Sequence, residues 1–130
     1  MDYCSQMKDS VQYIEENLDS KISLEALAEK AHLSKYYYHR LFSRIMGESV
    51  TKYINRRRME KASEELVQTA QPIIELALKY QYGSQEAFSR AFMRIYGMTP
   101  GKYRKSYMGG RGGDVTKSNY YFNKIMDMAA

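Results

Sequence analysis

Apolar residues recur along the chain at the spacing of helix turns, and no stretch keeps the alternation of a strand. Between Gln6 and Leu18, for example, they follow one another at intervals of four, three and four residues. The only two prolines, Pro72 and Pro100, fall between helix-like stretches, where proline is tolerated. The pattern therefore predicts an all-α fold.

Cap and stop residues set the bounds of the predicted helices. Ser23 suits an N-cap, and so does Ser34, because a serine hydroxyl accepts from the free amides of a first turn. Gly47 suits the end of the helix that Ser34 begins, and Pro72 suits the start of a later one. The predicted helices cover residues 6–18, 24–30, 35–46 and 50–67, and further helices follow Pro72.

The second half of the chain repeats the first. A shift of 50 residues superimposes cap, core and stop positions together: Glu25 on Glu75, Ser34 on Ser84, Arg40 on Arg90, Phe42 on Phe92, Arg44 on Arg94, Ile45 on Ile95, Gly47 on Gly97, Lys52 on Lys102 and Tyr53 on Tyr103. Such a set indicates two copies of one helix-turn-helix unit. We predict two three-helix, homeodomain-like subdomains, about seven helices in all, with residues 1–48 and 70–108 as subdomains, 49–69 as a linker helix and 109–130 as a flexible, glycine-rich tail.

The second helix of each unit, here called its reading helix, has an apolar side and a polar side at 100° per residue. The predicted core stripes are Tyr38, Leu41, Phe42 and Ile45 in the first copy and Phe88, Ala91, Phe92 and Ile95 in the second. The outward residues are Tyr36, His39, Arg40 and Ser43, and then Glu86, Ser89, Arg90 and Met93. Tyr37, Arg44, Ala87 and Arg94 lie on the flanks.

A hydrogen-bonding, basic face on the second helix of such a unit fits the major groove of DNA. Arg40 and Arg90 can donate two hydrogen bonds to guanine O6 and N7, or can contact phosphate. Glu86 could accept from cytosine N4. Tyr36 and His39 could donate to a base or a phosphate, and the Tyr36 ring could meet a thymine methyl. The alternative for each is a solvated surface residue.

The charge distribution agrees with a polyanionic partner. Residues 1–33 hold 3 basic and 7 acidic side chains, whereas residues 34–108 hold 14 basic and 6 acidic ones. Cys4 is the only cysteine, which excludes an intrachain disulfide and a cysteine-based zinc site. Two histidines and no glycine-rich phosphate loop disfavour an enzyme. We expect no cofactor, no metal, no membrane segment and a cytoplasmic location.

The predicted linker helix can be compared with the geometry of DNA. A helix over residues 50–67 would be ~27 Å long, and successive major-groove faces are ~34 Å apart. One chain could therefore reach two adjacent grooves. Arg56, Arg57 and Arg58 lie early on this helix and suit either phosphate contacts or salt bridges to the acidic N-terminal part.

Two stretches resemble the DNA-binding domain of the AraC/XylS family of bacterial transcription regulators. They are SLEALAEKAHLSKYYYHRLFSRIMGESVTKYINRRRMEKASEEL and PIIELALKYQYGSQEAFSRAFMRIYGMTPGKYR. The second is the more specific, because FSRAF followed by YGMTPGKYR marks the family. The resemblance covers about residues 8–107, and the chain's length is similar to that of the stand-alone MarA and SoxS type.

The resemblance implies seven helices, a monomer on an asymmetric double-stranded DNA site, and activation beside RNA polymerase. By position it implies DNA contacts from Tyr36, His39 and Arg40 and from Gln85, Glu86, Ser89 and Arg90. The remaining candidates are Ser34, Tyr37, Ser43 and Arg44 in the first copy and Ser84 and Arg94 in the second. Two turn positions that often hold glycine in the family hold His32 and Gln81 here, and Glu86 replaces a frequent neutral amide.

Two other interpretations remain open at this point. The chain could be a helical protein-interaction module, with its tyrosines and nine methionines as contact residues. It could also be the DNA-binding fragment of a larger, ligand-sensing regulator. Insensitivity of a partner complex to changes at Arg40 and Arg90 would favour the first.

Overall fold

The computed structural model describes residues 3–107, and every regular element within them is a helix. The helices are α1 (Tyr3–Glu16), α2 (Leu24–Lys30), α3 (Lys35–Met46), α4 (Val50–Gln68), α5 (Ile73–Lys79), α6 (Gln85–Tyr96) and α7 (Pro100–Tyr107). The all-α prediction and the count of about seven helices are confirmed for this part of the chain. The predicted flexible tail, residues 109–130, lies outside the described residues.

The helix bounds follow the cap residues closely. The hydroxyl oxygen of Ser34 accepts from the Tyr37 amide, and that of Ser84 accepts from the Ala87 amide, each at 3.1 Å. Gly47 and Gly97 end the same two helices in the left-handed conformation, at φ 78° and 74°. The first helix differs from its prediction: it ends at Glu16, and Leu18 is buried from the turn that follows. The apolar spacing of the sequence continues past the end of α1 because the turn that contains Leu18 also packs on the core.

The described residues form two compact units, 3–57 and 58–107, and the division falls within α4. In the first unit the core is built from apolar side chains of α1, α2, α3 and the start of α4. In the second unit it is built from α5, α6, α7 and the rest of α4. The largest fully buried side chains include Tyr38, Phe42 and Tyr53 in the first unit and Phe88 and Phe92 in the second.

The repeat holds for the reading helices at a shift of 50, but α2 and α5 correspond at a shift of 49. Residues 31–34 connect α2 to α3, whereas residues 80–84, one residue more, connect α5 to α6. The prediction that Glu25 superimposes on Glu75 is therefore wrong. Glu25 corresponds to Ile74, and Glu29 corresponds to Leu78, because the second turn is longer by one residue.

His32 and Gln81 occupy the same left-handed turn position in the two units, at φ 58° and 71°. After each of them the chain turns back on the preceding helix. The Leu33 amide donates to the Ala28 carbonyl at 3.0 Å, and the Tyr82 amide donates to the Ala77 carbonyl at 2.9 Å. These are the bonds of a helix end that glycine usually forms. Side chains other than glycine hold this conformation at an energetic cost.

The three consecutive arginines of α4 have different surroundings. Arg57 is buried and forms an ion pair with Glu15 of α1 at 2.7 Å, which confirms the salt-bridge alternative for this residue. Arg56 pairs with Glu48 at 3.1 Å. Arg58 belongs to the second unit, where its pKa is lowered by burial and raised in part by Tyr82. Arg57 therefore fixes α1 to α4 in the first unit.

Candidate nucleic-acid interface

The reading helix of the first unit, α3, packs on the core of that unit through aromatic side chains on its buried side. Tyr38 and Phe42 are fully buried, with ring centroids 6.0 Å apart, and the Phe42 ring meets Tyr53 edge-on at 5.6 Å. The Tyr38 hydroxyl shares a hydrogen bond with the Ser10 hydroxyl of α1. Burial raises the pKa of Tyr38 to about 12. The prediction that Tyr38 is a core residue is confirmed.

The reading helix of the second unit, α6, is anchored by Phe88 and Phe92, both fully buried. The centroid of the Phe92 ring lies 4.4 Å from that of Tyr96 and 5.1 Å from that of Tyr103 in α7. The prediction that Ile95 belongs to the core stripe is wrong, because this side chain is 58% exposed. Tyr96 packs there instead: its ring lies at a tilt against the Phe92 ring, and its hydroxyl forms a hydrogen bond with the hydroxyl of Ser63 in α4.

Most of the thirteen candidate residues are exposed on their own unit. The exposed ones are Ser34, Tyr36, Tyr37, Arg40, Ser43 and Arg44 on the first unit, and Gln85, Glu86, Arg90 and Arg94 on the second. His39, Ser84 and Ser89 are half-buried. Ser34 and Ser84 also cap their helices, so each has a structural task whether or not it meets DNA.

His39 is less exposed to solvent than its place on the outward face predicts. Its ring meets the buried Tyr38 ring edge-on, with centroids 6.2 Å apart. Ser89 is half-buried at the equivalent place in α6. The outward face of each reading helix is therefore narrower than the helical wheel indicates, and Arg40 and Arg90 lie on its exposed part.

Arg40 lies against Tyr36, one helix turn before it. Its guanidinium carbon lies 5.6 Å from the centre of the Tyr36 ring, and Nη1 donates to the Tyr36 hydroxyl at 3.3 Å. Tyr36 itself is 71% exposed. In α6 the residue one turn before Arg90 is Glu86, and among the described residues no hydrogen bond or ion pair joins these two. Within residues 3–107, the arginine of the first reading helix is thus held by the side chain one turn before it, and the arginine of the second is not.

The N-terminal turns of the two reading helices also differ in charge. The first turn of α3 has no acidic residue, whereas the first turn of α6 contains Glu86. Lys35, at the start of α3, pairs with Glu25 of α2 at 2.8 Å, and this contact lowers the pKa of the Glu25 carboxyl. An anion is favoured at a helix N-terminus, so α3 is the more receptive of the two to a phosphate.

Two residues outside the predicted set lie beside it. Tyr3 of α1 contacts Tyr37, with ring centroids 5.8 Å apart, and a hydrogen bond to Tyr37 raises the pKa of Tyr3. Tyr82, in the turn before α6, packs edge-on against Phe88 at 5.2 Å. Its pKa is raised by burial and lowered in part by the charges of Arg58 and Arg94. Tyr3 lies four residues before Met7, on the apolar period of α1 but ahead of the predicted helix start at residue 6. Tyr82 lies in a turn, where the helical period gives no signal.

Two further properties concern residues 3–107. No group of three or more histidine, cysteine, aspartate or glutamate side chains is arranged there to hold a metal ion. None of the helices in this range has the length and apolar character that a membrane span requires.

Comparison with known proteins identifies the class of protein. A family model described as a helix-turn-helix domain matches residues 27–106. The chain is 43% identical over 100 residues to the transposon Tn10 TetD protein of Escherichia coli, covering 77% of this chain and 72% of that protein. It is 34% identical over 109 residues to the multiple antibiotic resistance protein MarA of E. coli K12, covering 84% of this chain and 86% of that protein.

Longer relatives match over part of their length, and solved structures share the fold. The chain is 38% identical to the right origin-binding protein of E. coli K12 but spans only 37% of it. The C-terminal domain of AraT, a response regulator from Geobacillus stearothermophilus, is 32% identical with a TM-score of 0.73, over 85% of this chain and 92% of that one. The DNA-binding domain of AdpA, solved with a target DNA, has a TM-score of 0.72 at 24% identity, over 82% of this chain and 94% of that one.

The chain belongs to the AraC-type helix-turn-helix family, as its resemblance predicts. It is a DNA-binding transcription regulator. The family consists of transcription regulators, which are generally not enzymes.

Proposed function

We propose that the chain reads a bipartite DNA site by inserting α3 and α6 into adjacent major grooves, as a monomer in the bacterial cytoplasm. The observation that supports this most directly is the pair Arg40 and Arg90. Each is exposed on a reading helix, at the same distance from a serine cap, with the buried aromatic residues on the opposite side.

The base contacts follow from donor geometry. A guanidinium can donate two hydrogen bonds to O6 and N7 of guanine, which no other base pair presents in the major groove. We propose Arg40 and Arg90 for this role. Tyr36 and His39 add contacts in the first half-site, and Gln85, Glu86 and Ser89 do so in the second.

The phosphate contacts fall to the flanks of the reading helices. The proposed phosphate contacts on α3 are Ser34, Tyr37 and Arg44, beside its outward face, and Ser43, at the C-terminal part of that face; on α6 they are Ser84 and Arg94. Such contacts set register and affinity without reading sequence.

The length of α4 suits a chain that reads two adjacent grooves. The 19 residues of α4 would span ~28 Å as a helix, close to the ~34 Å repeat of the major groove.

Duplex binding tests this proposal. Wild-type protein is expected to bind its cognate duplex in competition with unrelated DNA, and Arg40→Ala or Arg90→Ala is expected to cost ~1–3 kcal/mol on that duplex. Tyr107→Ala, which alters an exposed aromatic residue outside both reading helices, provides a control for nonspecific effects. Equal binding of cognate and unrelated duplexes by all variants would contradict the proposal.

We further propose that RNA polymerase is a protein partner, as the family resemblance implies, and that α5 contributes to that contact. Ile74 and Leu78 are 40% and 53% exposed, whereas the equivalent positions of the first unit hold Glu25 and Glu29. The double variant Ile74→Glu, Leu78→Glu gives these two positions of α5 the glutamates found at the equivalent positions of α2. It is expected to keep DNA affinity and to lose transcription activation in a purified system, and retained activation would contradict this role.

A further inference from the structure

We propose that Tyr36 is a positioning residue that holds Arg40 for guanine recognition, so that the first half-site discriminates its guanine more sharply than the second. The inference rests on the proposed function, because it concerns how the first reading helix contacts DNA. Its starting observation is that Arg40 is in contact with Tyr36, whereas within residues 3–107 Arg90 has no such aromatic neighbour one turn before it, since Glu86 occupies that place.

The contact between the two side chains has two parts. The Arg40 guanidinium carbon lies 5.6 Å from the Tyr36 ring centre, within the range at which a cation is attracted to an aromatic face. The Nη1 group also donates to the Tyr36 hydroxyl at 3.3 Å. Ring and hydroxyl together therefore restrict both the position and the rotation of the guanidinium.

This restraint points the arginine toward the end of the helix that meets the bases. Tyr36 is the second residue of α3, and side chains in a helix lean toward its N-terminus. In helix-turn-helix proteins the N-terminal residues of the reading helix contact the base edges. The Arg40 guanidinium lies over that end before DNA arrives.

The restraint leaves enough donors for recognition. A guanidinium has five N–H donors, and the Tyr36 hydroxyl accepts from one nitrogen, Nη1. Two donors suffice for guanine O6 and N7. Arg40 therefore loses less rotational freedom on binding than an arginine that is free in solution, and this lowers the entropic cost of the contact.

The second unit supplies an internal comparison. Glu86 takes the place of Tyr36, one turn before Arg90, and both side chains are exposed. Among the described residues no hydrogen bond or ion pair joins them. Arg90 must therefore be ordered when DNA binds, and Glu86 adds a negative charge close to the phosphates. The same arginine is thus expected to discriminate more weakly in the second half-site.

A double-mutant cycle on the full chain tests the inference. The cognate duplex is first selected from a random pool by the wild-type protein, and the base pair that depends on Arg40 is identified with Arg40→Ala. Guanine preference at that base pair is then measured for wild type, Tyr36→Phe and Tyr36→Leu. Tyr36→Leu is expected to reduce it roughly 5-fold, because ring and hydroxyl are both lost. Tyr36→Phe keeps the ring and loses only the hydroxyl, so it is expected to reduce the guanine preference about 2-fold.

The Arg40→Ala background separates positioning from an independent DNA contact. If Tyr36 acts through Arg40, Tyr36→Leu has no further effect on the preference at that base pair once Arg40 is absent, whatever contacts Tyr36 makes elsewhere in the half-site. An equal effect in both backgrounds would overturn the inference while leaving the proposed function intact. Failure of the wild type to select any motif would instead contradict the proposed function. Tyr36 is 71% exposed, so thermal unfolding is expected to be unchanged, and the variants remain comparable.

The converse variant in the second unit gives an independent measurement. Glu86→Tyr is expected to raise guanine preference at the base pair read by Arg90 roughly 5-fold. Glu86→Leu removes the same negative charge without supplying a ring, and serves as the matched control. If Glu86→Leu raised the preference as much as Glu86→Tyr, the gain would come from charge removal, and the positioning role of the ring would be refuted.

Discussion

Arg57 of α4 donates two hydrogen bonds to the carboxylate of Glu15 of α1, from Nη2 at 2.7 Å and from Nε at 2.8 Å. The Tyr53 hydroxyl donates to the same carboxylate at 2.7 Å. The side chains of Arg57 and Glu15 are only 4% and 9% exposed. Three hydrogen-bond donors from α4 therefore satisfy the Glu15 carboxylate, and these bonds hold α1 against the N-terminal part of α4 in the first unit.

Arg57→Ala is expected to lower the free energy of unfolding by about 3–5 kcal/mol, because it leaves the Glu15 carboxylate nearly buried without its counter-ion. Urea denaturation followed by circular dichroism measures the change. Lys35→Ala provides the matched control, since Lys35 and Glu25 form a pair with 55% and 69% exposed side chains. An exposed pair is worth ~0–1 kcal/mol, so equal losses for the two variants would contradict this account.

Gly97→Ala is expected to lower the free energy of unfolding by roughly 1 kcal/mol, since a side chain is strained at φ +74°. Gly83→Ala is the matched control. In both cases no atom of residues 3–107, apart from those of the two chain neighbours, lies within 4 Å of an added methyl group, but Gly83 is not in the left-handed region. Thermal melts should show a loss for Gly97→Ala only, and a similar loss for Gly83→Ala would exclude the backbone explanation.

Gln81→Gly tests the same conformation from the opposite direction. It is expected to raise the free energy of unfolding by about 0.5–1 kcal/mol, because glycine adopts φ 71° without a Cβ clash. His32→Gly should give a smaller gain, since histidine is among the residues enriched at positive φ. Destabilisation by Gln81→Gly would show that its side chain contributes more than the strain costs.

The buried hydroxyl of Tyr38 predicts a dependence of stability on alkaline pH. Its pKa is about 12 in the folded protein against an ordinary value of 10.0. Because the folded state favours the neutral hydroxyl, this contribution is complete below pH ~10 and is lost as pH rises toward ~12, by about 3 kcal/mol.

Tyr38→Phe should flatten this decline, as measured by urea denaturation at a series of alkaline pH values. Its stability at neutral pH should fall by about 1 kcal/mol, because the Ser10 hydroxyl loses its partner. Tyr53 and Tyr82, whose pKa values are also raised by burial, contribute to the remaining slope. An unchanged slope in Tyr38→Phe would contradict the assignment to Tyr38.

Arg94→Ala is expected to weaken binding to all duplexes alike, because Arg94 is proposed to contact phosphate. Each phosphate contact contributes about 0.9 to the slope of log affinity against log salt concentration. Fluorescence titrations at several salt concentrations should show that slope reduced by about one, with base preference unchanged. A change in base preference with an unchanged slope would instead assign Arg94 to base recognition.

Local signals in the sequence predicted the reading helices well. Ser34 with Gly47, and Ser84 with Gly97, define both helices by cap and stop, and the buried aromatic residues between them fix which side faces inward. Ile95 was predicted wrongly because the helical wheel does not show that Tyr96, on α6, packs against α7. The equivalence of Glu25 and Glu75 failed because one extra turn residue changes the register without changing the spacing of apolar residues.

Contacts between distant parts of the chain were less predictable. The Arg57–Glu15 pair joins residues 42 positions apart, so the sequence could not decide between a phosphate contact and a salt bridge for that arginine. The contact between Tyr36 and Arg40 spans a single helix turn, yet it was not predicted, because the helical wheel groups these side chains without showing which of them touch.

Selection of bound duplexes from a random pool, repeated with Arg40→Ala and Arg90→Ala, tests the central claim most directly. The wild-type protein is expected to select a bipartite motif with its halves about 10 base pairs apart, one turn of B-DNA. Each variant should lose preference at one guanine, in a different half. A motif that both variants reproduce unchanged, or no motif at all, would contradict the claim that these two arginines read the site.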